Sequence, residues 1–359
     1  MNEQSIHLYN EEVLLIPLKN NMNAIETAYE QLLQPSPALI TDITKIQGDI
    51  IILGAGGKMG PALAKLTRQA IDRAGISKKV TAVSRFSEPG VKENLEQAGV
   101  ITLQADLLED NQLQLLPLAE NVLYLAGTKF GTTGKEYFTW AMNTYLPARV
   151  AEKYKDSRIV VFSTGNVYPL VPVLSGGATE LTEPEPAGEY AQSCLGRERL
   201  FQYQSSRYNT PLFLYRLNYA NDVSYGVLLE IARSVMEGRP VDIGMGHINA
   251  IWQGDANEMA IRALLYCEAP AKTVNITGPE MISVRWAARE FGSMFGKPPV
   301  FVNEEQHTAL LSNAGEACRL FGYPNVSLKQ MMEIQAEWLK HGGKTINKPT
   351  HYQERKGKF

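Results

Sequence analysis

Gly54, Gly57 and Gly60 fall at intervals of three within the run Gly54-Ala55-Gly56-Gly57-Lys58-Met59-Gly60, directly after the apolar segment Asp49–Leu53. A strand, a glycine turn and a helix in that order build an anion site. The first glycine makes the tight turn. The middle one lets backbone N–H groups approach a pyrophosphate. The last lets helix and strand pack closely, so that the helix N-terminus faces the anion. Pro61 suits the first turn of that helix, where its missing N–H costs nothing. Gly54, Gly56, Gly57, Lys58, Met59 and Gly60 are therefore the expected dinucleotide cradle.

The next apolar segment, Val80–Ser84, runs into Ser84-Arg85-Phe86-Ser87. A site for NAD usually has a carboxylate at this point, bonded to the ribose hydroxyls. Here Arg85 can pair with a 2′-phosphate and Ser84 or Ser87 can donate to it. The sequence thus predicts NADP(H) in preference to NAD(H). Asp106 and Leu107, after the third strand, are placed to meet the adenine edge.

These residues need a sheet to position them. Apolar strands at 49–53, 80–84, 100–103, 121–126, 158–163 and 211–217 alternate with helical segments, among them 60–74, 136–155 and 190–206. Fully apolar strands separated by helices imply a parallel sheet covered on both faces. Right-handed crossovers make it doubly wound. The predicted class is α/β, a doubly wound Rossmann sheet with a smaller C-terminal α+β substrate-binding part and an N-terminal extension. Residues 1–47 form the extension, with a short edge strand near 12–18 and helical spacing over 23–33. Residues 48–217 form the dinucleotide-binding domain. Residues 218–341 are mainly substrate-binding, with 248–266 returning to the first domain and a strand at 273–277. Residues 342–359 are a basic tail, read as solvated.

The chain has 359 residues, 44% hydrophobic and 20% charged, with a net charge of -3. That composition fits a globular enzyme and gives no electrostatic footprint for nucleic acid. No apolar run is long enough for a membrane span, and no secretion signal is visible. Cys194, Cys267 and Cys318 lack disulfide or metal-ligand spacing, so no metal is expected. The default location is the cytoplasm.

Together these landmarks resemble the extended short-chain dehydrogenase/reductase family, the NAD(P)-dependent epimerases, dehydratases and reductases of sugars. The resemblance runs from about residue 49 to 341. Its G-x-x-G-x-x-G spacing is present. Ala126-Gly127 resembles the family's cofactor turn, Asn143 its structural asparagine, and Phe162–Tyr168 its fifth-strand signature. The resemblance implies Thr164 as the residue that hydrogen-bonds the substrate oxygen and Tyr190 as the acid/base and a cofactor contact. It places Asn218, Tyr219 and Tyr225 on the substrate side. One departure is sharp: Tyr190-Ala191-Gln192-Ser193-Cys194 has a cysteine where the family has the lysine of Y-x-x-x-K. That lysine stabilises the phenolate, whose free pKa is about 10. Arg197 shares the helix face but lies about 10 Å from Tyr190 along the axis. The glycine loop also resembles that of dihydrodipicolinate reductase, whose His-rich segment is missing here.

Two functions follow. One is an epimerase, dehydratase or reductase acting on a sugar, sugar acid or sugar nucleotide. The other is a catalytically degenerate NADP(H)-binding sensor or regulatory protein. The broad apolar stripes of 136–155 and 190–206 predict a homodimer through those helices, unless the extension covers them.

Overall fold

The computed structural model describes residues 21–129, 134–346 and 350–358. The strand expected near 12–18 lies outside the described residues. Seven strands form the main sheet: β1 (Ile50–Leu53), β2 (Val80–Ser84), β3 (Ile101–Gln104), β4 (Asn121–Tyr124), β5 (Arg158–Thr164), β6 (Leu212–Leu217) and β7 (Lys272–Ile276). Their order is β7-β6-β5-β4-β1-β2-β3, and every pairing is parallel. The order reverses between β1 and β4, which opens a crevice at their carboxyl ends, where ligands bind in such sheets. β1 and β4 are buried along their whole length, as expected of strands covered on both faces.

Helices α1 (Met22–Gln31) and α2 (Pro37–Lys45) are the described part of the extension, and α3 (Gly60–Arg73) follows the glycine loop. Helix α4 (Glu136–Trp140) continues through a π turn, Ala141–Tyr145, into α5 (Leu146–Lys153). The long helix α6 (Gly188–Tyr208) follows β5. The remainder adds α7 (Val227–Glu237), α8 (Gln253–Arg262), α9 (Val284–Phe295) and α10 (Leu328–Lys340). One apolar core lies on the α3 and α8 face of the sheet, another on the α5 and α6 face, and a third gathers α7, α9 and α10.

Two assignments differ from the sequence expectation, the strand at the sheet edge and the tail; the extension packs on the body. The segment read as a strand of the substrate part is β7, an edge of the main sheet, paired with β6 from Lys272–Phe213 to Ile276–Leu217. The extension is built into the body: Tyr29 donates to Asp222 at 2.9 Å, Ser36 to Glu258 at 2.6 Å, and Trp252 to the Leu32 carbonyl at 3.1 Å. The basic tail is not a solvated end over its described residues. Tyr352 is buried and donates to the Asp242 carbonyl at 2.8 Å, and Arg355 donates to the Thr308 carbonyl at 2.8 Å.

Candidate active site

The glycine loop closes the end of β1. Gly54 has φ +90, and a Cβ there would stand 2.6 Å from the Ala126 amide nitrogen, so only glycine lets β1 and β4 converge. At Gly60 a Cβ would overlap the Ala55 backbone, which is the helix–strand packing expected of the last glycine. At Gly57 the nearest atom is the Gly54 carbonyl at 3.6 Å, so this glycine is open to the crevice. A groove of about 210 Å³ results, lined by Gly54, Gly56, Gly57, Ser84, Arg85, Ser87, Ala105, Asp106, Leu107, Leu125, Ala126, Gly127 and Met142. It brings together the residues expected from three separate strand ends. A backbone cradle of this kind, with a helix N-terminus behind it, fits a dinucleotide.

Lys58 and Met59 do not line the groove. Met59 packs against the core under the loop, and the Lys58 ammonium stands 5.2 Å from the Tyr225 ring centre. A residue that sequence reasoning missed joins them. Lys129, two residues beyond Gly127, lies with its ammonium 5.4 Å from the Tyr190 ring centre. Burial pulls its pKa down to about 8, and Lys58 pushes the same way.

Tyr190 lies in the first turn of α6, and Thr164, the last residue of β5, and Cys194 are both near enough to act on its phenol. The sheet therefore brings the two expected catalytic residues close together. Thr164 also accepts from the Asn166 amide at 3.1 Å, which orients its hydroxyl. Burial raises the Tyr190 pKa well above its ordinary value, and Cys194 adds to this while Arg197 opposes it. The Cys194 thiol is likewise pushed up by burial.

Asn143 sits in the π turn with no exposure. Its amide donates to the Thr128 carbonyl at 2.8 Å and to Ser193 at 3.0 Å, tying the turn after β4 to α6. Behind it, Arg216 of β6 grips Glu198 of α6 through two hydrogen bonds of 2.9 and 2.6 Å. Ser163 of β5 donates to the same carboxylate at 2.5 Å. This buried cluster fixes α6 against β5 and β6, and so fixes Tyr190 relative to Thr164.

The expected substrate residues are dispersed. Asn218 is buried and donates to the Leu310 carbonyl at 3.4 Å. Tyr219, held at φ +45, directs its hydroxyl to the Tyr352 carbonyl at 3.4 Å. Tyr225 hydrogen-bonds Gln253 and lines a cavity of about 380 Å³ with Glu230, Arg233, Asp242 and Tyr352. Neither Thr164 nor Tyr190 lines that cavity. Among the described residues no cluster of His, Cys, Asp or Glu could hold a metal ion, and no helix is long and apolar enough to cross a membrane.

No protein-family model matches the chain, and no curated protein matches it in sequence. Solved structures match it in fold. The UDP-glucose 4-epimerase of Thermus thermophilus, in complex with NAD, superposes with a TM-score of 0.67 at 18% identity, over 82% of this chain and 99% of its own. The UDP-glucuronic acid 4-epimerase of Bacillus cereus, in complex with UDP-glucuronic acid and NAD, gives 0.65 at 20% identity over the same shares. Epimerase Mth375 of Methanothermobacter thermautotrophicus gives 0.68 at 17%, over 85% and 96%. This chain has the epimerase fold. It is the architecture that the glycine spacing and the strand order imply.

The same comparisons overturn the expected preference for NADP(H), because the two complexes hold NAD. The structure supplies a physical reason. Arg85 is exposed and its guanidinium faces the Asp106 carboxylate at 3.8 Å. A carboxylate thus does stand at the groove rim, supplied from the end of β3 instead of β2, and it offsets the arginine charge that suggested a 2′-phosphate.

Proposed function

We propose that the chain is an NAD-dependent enzyme that epimerises, dehydrates or reduces a sugar derivative, with a sugar nucleotide as the first substrate to test. The observation that carries this is the juxtaposition of Thr164, at the end of β5, and Tyr190, in the first turn of α6, on the sheet whose glycine loop forms the groove. NAD, when bound, would supply hydride transfer at a sugar carbon. Tyr190 takes the proton of the sugar hydroxyl as that carbon becomes a carbonyl and gives it back on the return. Thr164 hydrogen-bonds the same oxygen and holds it against Tyr190. Gly54, Gly56, Gly57, Gly60, Ser84, Arg85, Asp106, Leu107, Ala126 and Gly127 shape the cofactor site. The epimerase fold with NAD and UDP-sugars in similar structures supports the substrate class. The reading places a homodimer in the cytoplasm, where the free cysteines stay thiols.

The purified chain should carry or bind NAD and convert at least one member of a UDP-sugar panel, followed by chromatography of the sugar product. Tyr190→Phe should lower kcat by about 10²–10⁴-fold. Unchanged turnover in that variant removes Tyr190 as the acid/base. Cys194 favours a second reading, a protein that senses NAD without turnover, because it brings no charge to Tyr190. Strong turnover by the unmodified chain sinks that second reading.

A further inference from the structure

Arg197 is a buried cation without an acidic partner. It is 5% exposed. Its Nη1 donates to the Phe162 carbonyl at 2.6 Å, its Nη2 to Asn143 Oδ1 at 3.0 Å, and its Nε to the Asn143 carbonyl at 3.4 Å. All three acceptors are neutral. No carboxylate lies within ion-pair distance of it among the described residues, and the neighbouring Glu198 is held by Arg216 and Ser163. A guanidinium in such a place is expensive, and an apolar side chain of similar size would pack there at less cost. The fold is also shaped around it: a Cβ on Gly127 would overlap Nη2.

Its position explains the expense. Tyr190, Cys194 and Arg197 share one face of α6. Helical side chains lean toward the N-terminus, so the long Arg197 side chain reaches back from its own turn toward Tyr190. The guanidinium ends beneath the Gly127 turn and beside Phe162, two residues before Thr164. Cys194, fully buried, stands between the two in the helix sequence, and its thiol is near enough to both to feel them. The π turn presents both the side chain and the carbonyl of Asn143 to the same guanidinium.

We propose that Arg197 is the positioning residue that supplies the fixed positive charge at Tyr190, delivered from one turn further along the helix than the lysine that Cys194 replaces. This rests on Tyr190 being the acid/base. Lys129 does not fill the role: it stands over the face of the Tyr190 ring and loses its charge near pH 8, whereas a guanidinium stays charged throughout. The arrangement separates two tasks. The thiol packs against the phenol, and the charge comes from behind it.

The test reads the phenol itself and needs no substrate. A tetrafluorotyrosine placed at position 190, several pH units more acidic than tyrosine, is titrated by fluorine NMR in the full chain. Replacing Arg197 with Met should raise its midpoint by about one pH unit or more. Arg197→Gln, which keeps hydrogen-bonding capacity and loses the charge, should give the same rise if the methionine variant does not fold. Arg197→Lys should raise it less, and Cys194→Lys added to Arg197→Gln should bring it back. An unchanged midpoint in folded Arg197→Gln overturns the proposal. A shifted midpoint together with full turnover by Tyr190→Phe would leave the charge relationship standing and remove only the catalytic reading.

Discussion

The Lys129 ammonium stands 5.4 Å from the centre of the Tyr190 ring. It shares this half-buried site with Lys58, whose charge acts on it unfavourably. Two like charges near one another favour an anion beside them.

The pH dependence follows with a definite sign. Burial lowers the folded-state pKa of Lys129 from 10.5 to about 8, so between these values the unfolded chain binds more protons. The Lys129 contribution to stability rises with pH across that window, and its penalty is present in full below about pH 8. Thermal melts of the unliganded chain from pH 7 to 10.5, each compared with Lys129→Met, should show the difference closing as pH rises. NAD should bind Lys129→Met more weakly, with the loss greatest below pH 8. A pH-independent difference between the two melts rules out this account of Lys129.

Gly57 and Gly60 separate binding from folding. A Cβ at Gly60 overlaps the Ala55 backbone, so Gly60→Ala should destabilise the fold by about 1–3 kcal/mol. A Cβ at Gly57 meets only the Gly54 carbonyl at 3.6 Å, so Gly57→Ala should change stability by less than about 1 kcal/mol. It would still fill the cradle and should weaken NAD binding at least tenfold. Calorimetric titration and denaturant melts on both variants decide it. Unimpaired NAD binding by Gly57→Ala would place the pyrophosphate elsewhere.

What could be read from the sequence was whatever depends on local pattern. The continuous apolar run of β1, the glycine spacing and the order of strands fix the sheet and its crevice, and they converge on the groove residues from Gly54 to Gly127. What escaped depends on which groups meet across the fold. The sequence of β7 points to the wrong layer because it follows a long excursion in the chain and shows nothing of its partner β6. The sequence shows Arg85 alone, since its pairing with Asp106 links the ends of two strands. The reach of Arg197 looked too short on axial distance, because the backward lean of the side chain and the acceptors of the π turn are visible only in three dimensions. Tyr219 and Tyr225 carried a polar tip that could point anywhere. One points at the tail and the other at Gln253.

The tail gives a further expectation. Thr350 hydrogen-bonds the Glu230 carboxylate, Tyr352 is buried, Arg355 grips Thr308, and Gly357 packs against Gly188 at the start of α6. Deleting residues 350–359 should lower stability by about 2–4 kcal/mol, from one buried aromatic and several hydrogen bonds. Amide exchange should quicken at the start of α6 and along α7. Equal melting temperature and equal exchange would show that the tail is not part of the folded body.

The last prediction concerns assembly. Tyr137 is 75% exposed, Tyr145 56% and Tyr203 56%, and Phe138 and Trp140 add to them. Four of these side chains belong to the α4–π-turn segment, and Tyr203 belongs to α6, which packs against it. Exposed aromatic side chains on two adjacent helices are candidates for burial against a partner. The alternative cover was the extension, but its described helices pack on α3, α8 and α10. A two-fold partner is the cover to test, because the same patch then closes on itself. Light scattering after size exclusion should give the mass of two chains at micromolar concentration. Tyr145→Arg combined with Tyr203→Arg should give one chain while leaving the fold intact by circular dichroism. A single-chain mass for the unmodified protein would sink the dimer.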